Sequence, residues 1–242
     1  MLSDSISYVS SKESDIQKAV IMLHGYGSNG NDLISLAPIV AKKMPNTIFY
    51  SPDAPIKFEY GYKWFDLDNF ADASVYEHFD YLQELTKKAK TVLPTIFDFI
   101  NKIKQEHNLK SNQITLMGFS QGGLLALMSG LLYKGCLSSV IGASAIPVSI
   151  NNALSLDEVK NKPPVLLTHG MADDVVSFVG MQISQNTLKN IGCEVKTYAV
   201  PGMGHQVDNG CIDAMVKFVN SKLTDNVLPH DNVSLHRFHE RD

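Results

Sequence analysis

A single serine sits between glycines at the junction of two contrasting runs. Gly118-Phe119-Ser120-Gln121-Gly122-Gly123 follows the β-prone stretch Gln113–Met117 and opens the helix-prone stretch Leu124–Tyr133. A strand that turns sharply into a helix through Gly-x-Ser-x-Gly is a nucleophile elbow. The turn is tight, so a Cβ at either flanking position would meet neighbouring backbone. The serine itself is held in a strained conformation. Its hydroxyl is thereby raised above a sheet, beside the positive end of a helix. Few folds provide that junction, and the rest of the chain must supply a sheet and helices to support it.

The remaining pattern does so. Ala19–Leu23, Thr47–Ser51, Ile114–Met117, Ser139–Ala143, Val165–Thr168 and Val195–Val200 read as short strands, several of them almost wholly apolar. Continuous apolar strands are buried on both faces, as in a parallel sheet. Helical spacing occupies Asp32–Lys43, Phe79–His107, Gln121–Leu132, Val176–Asn190 and Cys211–Lys222, with Pro94 expected to kink or divide the second. Alternating strands and helices predict an α/β fold with a mostly parallel central sheet flanked by helices. Its site is expected at the carboxyl ends of the strands. With no interdomain linker, residues 1–224 read as one domain and residues 225–242 as a polar, mobile tail. The tail histidines His236 and His239 lack a convergent third ligand, so no metal site is expected.

The chain's 242 residues, 44% hydrophobic and 19% charged, suffice for one well-filled core. A net charge of −4 gives no basic footprint for nucleic acid. Cys136, Cys193 and Cys211 are odd in number and lack metal-type spacing, which favours free thiols in a reducing compartment. The polar, serine-rich start lacks the layout of a signal peptide, and the longest apolar run is too short to span a bilayer. A cytoplasmic protein without stable membrane insertion is expected. The aromatic-rich stretch Pro55–Glu77 reads either as a loop anchored on the core or as a rim over a substrate pocket.

Serine needs a base, and the base needs an acid to hold its tautomer. On this kind of fold the chain order is Ser, then Asp or Glu, then His. Asp173 and Asp174 follow the strand at Val165 and the turn at Gly170; Asp173 is assigned as the acid and Asp174 as a capping or solvent residue. His205 follows the next strand on the glycine-rich loop Pro201–Gly204 and is the expected base. Leu23-His24-Gly25-Tyr26-Gly27 ends the first predicted strand, where glycines let backbone approach a ligand. The backbone N–H groups of Tyr26 and Gln121 are the expected oxyanion donors. His24 and His169 read as structural. Together these residues predict two-step acyl transfer, with no metal or organic cofactor required.

The same segments resemble the phospholipase/carboxylesterase family of α/β-hydrolases. The resemblance is carried by Gly118–Gly123, Leu23–Gly27, His169–Val176 and Gly202–His205, with Ser51–Pro55, Trp64–Asp66 and Ala145–Pro147 in addition, and spans about residues 19–222. It departs at Asp174, where many members have proline. The resemblance implies a compact hydrolase without a separate cap domain, acting on ester or thioester bonds as a carboxylesterase, acyl-protein thioesterase or lysophospholipase. It further implies that Trp64, Phe65, Leu67, Phe70 and Val175 line an acyl pocket. Substrates would be small or lipid acyl esters or acylated proteins. Some members are dimers, so a homodimer stays open. The same triad also serves peptidases, lactonases and acyltransferases, and a binding protein on this fold is the remote alternative.

Overall fold

The computed structural model describes residues 2, 5–10, 12, 15–68, 78–151 and 153–225. Phe70 and most of the C-terminal tail lie outside the described residues. In chain order the strands are β1 (Ser5–Val9), β2 (Lys18–Leu23), β3 (Thr47–Pro52), β4 (Ile56–Phe58), β5 (Gly61–Lys63), β6 (Ile114–Phe119), β7 (Ser139–Ala143), β8 (Val165–Gly170) and β9 (Val195–Val200). The helices are α1 (Gly30–Ile34), α2 (Ala37–Ala41), α3 (Phe79–Glu106), α4 (Gln121–Leu132), α5 (Phe178–Ile191) and α6 (Asn209–Asp225). Seven strands form one sheet in the order β1-β3-β2-β6-β7-β8-β9. All its neighbours pair in parallel except β1, which lies antiparallel to β3 on the edge.

The sheet is covered on both faces, which is why its inner strands are buried at almost every position. In β2, Ala19, Ile21 and Leu23 pack into a core with α3, α4 and α5. Val20 and Met22 face the opposite way, into a second core with α1, α2 and α6. The partially exposed β1, with alternating serines, carried too weak a pattern to be read from sequence.

Two expectations about helices need correction. Asp32–Lys43 is two short helices, because Pro38 cannot donate a backbone hydrogen bond to the preceding turn and instead occupies the first turn of α2. Pro94, by contrast, does not divide α3, which runs unbroken for 28 residues. Pro94 is exposed, so the carbonyl it leaves unpaired on that side is within reach of water, while the buried stripe from Leu82 to Ile103 continues past it.

Part of the aromatic-rich connection folds as the β4–β5 hairpin. It is fastened to the loop after β2: the Gly27 N–H donates to the Tyr62 carbonyl at 2.9 Å and the Tyr62 N–H to the Ser28 carbonyl at 2.7 Å. A Cβ on Gly61 would lie 2.3 Å from the Gly27 carbonyl oxygen, so only glycine permits this approach.

β2 pairs with β3 on one side and β6 on the other, so the chain reverses its direction of travel across the sheet there. The carboxyl ends of strands flanking such a reversal form the crevice where α/β sheets bind ligands. The Leu23–Gly27 loop and Ser120 both emerge at that point. Among the described residues no helix is long and apolar enough to cross a membrane.

Candidate active site

Ser120 joins β6 to α4 with φ 53° and ψ −115°. A non-glycine residue held in so sparsely populated a conformation costs about 1–3 kcal/mol, and it persists only where its surroundings over-determine it. Here they do. The Ser120 N–H donates to the Ala143 carbonyl at 3.0 Å, and its own carbonyl accepts from Gly123 at 2.9 Å, Ile146 at 3.2 Å and Leu124 at 3.3 Å. The flanking glycines give the required closeness. A Cβ on Gly118 would be 2.0 Å from the Gly122 carbonyl oxygen, and one on Gly122 would be 2.1 Å from that of Leu23.

The loop after β2 lies against this elbow. An added Cβ on Gly25 would sit 3.3 Å from Ser120 Cβ. The Tyr26 ring packs on Phe58 of the hairpin with 4.8 Å between centroids. Gln121 is the first residue of α4, so its N–H has no acceptor within the helix. The Gln121 side chain has a role the sequence did not disclose. Its Oε1 accepts from the Trp64 N–H at 3.0 Å and its Nε2 donates to the Phe65 carbonyl at 2.8 Å. Trp64 Nε1 in turn donates to the His24 carbonyl at 2.9 Å. Trp64, Phe65 and Leu67 are buried; the backbone groups of the first two hold the Gln121 side chain at the elbow, and the Trp64 indole holds the loop.

His24 is buried beneath the loop. Its Nε2 accepts the Ala54 N–H at 3.0 Å, so the ring proton resides on Nδ1, 2.7 Å from the Gly25 carbonyl. Burial holds its pKa below the ordinary imidazole value of 6.5, against the Gly25 carbonyl and the Asp53 and Asp32 charges, which favour protonation. A histidine whose folded pKa is lowered contributes stability that is present above the unfolded value and lost as pH falls below it. Wild-type protein is therefore expected to lose stability between pH 7.5 and 5.5, and His24→Gln is expected to lose less over that window. Urea midpoints at both pH values check this; equal losses in the two proteins would rule it out.

β8 and β9 supply the other two groups. Asp173 follows Gly170 by three residues, with its side chain fully buried. Its Oδ1 accepts the N–H groups of Val175 at 3.0 Å and Val176 at 2.9 Å. Its Oδ2 accepts from two imidazoles, His205 Nδ1 at 2.8 Å and His169 Nε2 at 3.2 Å. Burial pushes this carboxyl up, but the bonds from His169, His205 and Val176 outweigh it and hold the carboxyl well below the usual range. A carboxylate only accepts, so His205 carries its proton on Nδ1 and leaves Nε2 unprotonated. The His205 ring rests on Phe119, next to Ser120, at 4.7 Å between centroids.

His169 is a structural residue with more to do than its sequence position discloses. It is buried, and its Nε2–H, shared with the Val176 carbonyl at 2.9 Å, locks both Asp173 and the turn behind it. A histidine at the end of a strand, four residues before the assigned acid, was the available signal. Asp174 is exposed, and the cap of α5 falls to Ser177, whose Oγ accepts the Val179 N–H at 3.3 Å. Val175 is partly exposed beside Asp173.

The close approach of the loops that carry Asp173 and His205 depends on Gly170. A Cβ there would lie 2.2 Å from the Met203 carbonyl oxygen and 2.4 Å from that of Gly204. Gly170→Ala is thus expected to separate the two loops, destabilising the fold by about 1–3 kcal/mol. A displacement near 1 Å at reacting groups costs about a hundredfold in rate, so kcat/KM is expected to fall at least tenfold. Urea unfolding and ester kinetics on the one variant measure both effects.

Among the described residues no cluster of three or more His, Cys, Asp or Glu could hold a metal ion. His236 and His239 lie outside the described residues.

The sequence matches the Phospholipase/Carboxylesterase family over residues 4–223. It is similar to an acyl-protein thioesterase 1 of Neurospora crassa, 28% identical over 218 residues, which are 84% of this chain and 86% of that protein. A probable carboxylesterase of Oryza sativa subsp. japonica is 28% identical over 216 residues, 84% of this chain and 77% of the other. Among solved structures, esterase PE8 superposes with a TM-score of 0.80 at 29% identity, covering 90% of this chain and 98% of that one.

Proposed function

The chain belongs to the phospholipase/carboxylesterase family and is a serine hydrolase of ester and thioester bonds; from that premise we propose that Ser120, His205 and Asp173 carry its chemistry. The observation that carries the assignment is the 2.8 Å bond from His205 to a buried carboxylate, with the His205 ring packed beside a strained elbow serine. His205 Nε2 takes the Ser120 proton as Oγ attacks the acyl carbon. The backbone N–H groups of Tyr26 and Gln121 stabilise the tetrahedral oxyanion. His205 then protonates the leaving alcohol or thiol. Water, activated by the same ring, attacks the acyl-enzyme, releasing the acid and restoring the serine. His169 acts through Asp173 as a positioning residue.

The substrates are acyl esters and thioesters, with acylated proteins as the physiological class that the thioesterase relatives favour. Three free cysteines support a reducing compartment, the cytoplasm being the simplest.

A fluorophosphonate probe followed by peptide mapping tests the assignment. The reading requires label on Ser120 alone, with hydrolysis of graded p-nitrophenyl esters lost in proportion. Label elsewhere, with hydrolysis intact, would overturn it.

A further inference from the structure

An ester bound at Ser120 has two ends, and the general acid decides which end goes where. In the acylation step the Ser120 Oγ–C bond forms and the bond from carbon to the leaving oxygen or sulfur breaks. The proton taken from Ser120 passes from His205 Nε2 to that leaving atom. The leaving group must therefore lie on the His205 side of the serine.

On that side the structure has a groove of ≈ 240 Å³. Its walls include Gly25, Leu33, Leu36, Phe119 and Val207, with Asp32 also lining it. Phe119 carries the His205 ring, Val207 follows His205 by two residues, and Gly25 borders Ser120. The groove thus lies beside the reacting pair, walled by its immediate neighbours, and is bordered by α1 residues Asp32 and Leu33. Its volume gives room for an aryl ring or a short alkyl chain. Exposed Asp32 brings a negative charge to it. The Asp32 Oδ2 accepts from Ser28 Oγ at 2.9 Å and Asn29 Nδ2 at 3.1 Å, and among the described residues no cation pairs with it.

We propose that this groove is the leaving-group subsite, taking an alcohol or thiol with an apolar stem and a neutral or cationic end, and disfavouring an anionic end. The inference rests on the acyl-enzyme reading above. The apolar walls reward burial of the stem, as a methylene lodged in a hydrophobic pocket is worth about 10–200-fold in kcat/KM. The Asp32 carboxylate adds a smaller, charge-dependent preference, about three- to fivefold for an exposed group.

The test holds the acyl group constant and varies the leaving group. Acetyl esters of methanol, 2-naphthol, 4-carboxyphenol and 4-trimethylammoniophenol are compared as kcat/KM, each divided by its hydroxide-catalysed rate. Active sites are counted by fluorophosphonate titration. Wild type is expected to prefer the cationic over the anionic phenol at least threefold, and Asp32→Asn to bring that ratio close to one. Leu33→Trp, which fills the groove, is expected to cut the naphthyl-to-methyl ratio at least tenfold while the acyl chain-length profile keeps its shape. If Leu33→Trp does not titrate, Leu36→Phe makes the same comparison. Wild-type ratios in variants that titrate fully would overturn the subsite and leave the Ser120 chemistry standing. Failure of wild type to titrate or to hydrolyse any ester would instead overturn the reading on which it rests.

Discussion

Ser120→Ala is expected to lower kcat by about a millionfold, the loss typical when the nucleophile of a Ser–His–Asp unit is removed. The variant should still fold. The hydrogen bonds that hold the elbow are made by backbone groups of residue 120, not by its hydroxyl. Alanine pays the same conformational cost as serine at φ 53°, so the strain neither grows nor relaxes. The proposed oxyanion donors, the backbone N–H groups of Tyr26 and Gln121, would survive too, leaving a residual rate about 10³–10⁴ above water. The measurement is single-turnover hydrolysis of a p-nitrophenyl ester, with far-UV circular dichroism as the folding control. Turnover within tenfold of wild type would place the nucleophile elsewhere.

Asp173→Asn is expected to cost about 10⁴ in kcat, for a reason visible in the atoms. The Asn Oδ1 can keep the bonds from Val175 and Val176, which leaves the Nδ2 amide where Oδ2 stood. An amide donates. His205 would then have to accept on Nδ1 and carry its proton on Nε2, the atom that must be free to take the serine proton. His169 Nε2–H would meanwhile face a donor instead of an acceptor. Both imidazoles lose their orientation through one isosteric change. A stability signature accompanies the kinetic one. A carboxyl held low in the fold contributes stability that is present above the ordinary value of 3.8 and lost as pH falls through the folded pKa. Wild type should therefore exceed the variant in urea midpoint at pH 7, with the gap closing in strong acid. A kcat loss below tenfold would remove Asp173 from the proposed role.

Much of this molecule was legible in its sequence because the relevant signals are local. The elbow is punctuated by Gly118 and Gly122, each forced by a backbone contact close to the serine. α4 and β7 have the limits their apolar runs predict. Features that depend on distant partners were not legible. β1 contributes little more than Val9 to the core and is held by its pairing along the edge of β3. The clasp of Gln121 on Trp64 and Phe65 links residues 56 and 57 positions apart, with nothing in either segment to announce it. The effect of a proline depends on where along a helix it falls: Pro38 and Pro94 are both exposed, but Pro38 opens α2 whereas Pro94 lies inside α3. His169 could be placed beside the acid loop, but its second bond, to Asp173 itself, required coordinates.

The backbone at Ser120 bears on how such a chain can change over time. At φ 53° and ψ −115° the residue that relaxes most easily is glycine, which can do no chemistry there. Selection for heat resistance and selection for turnover therefore pull this codon in opposite directions. A lineage that ceased to need the reaction would have a downhill route at this position, gaining robustness with the same change that silences it.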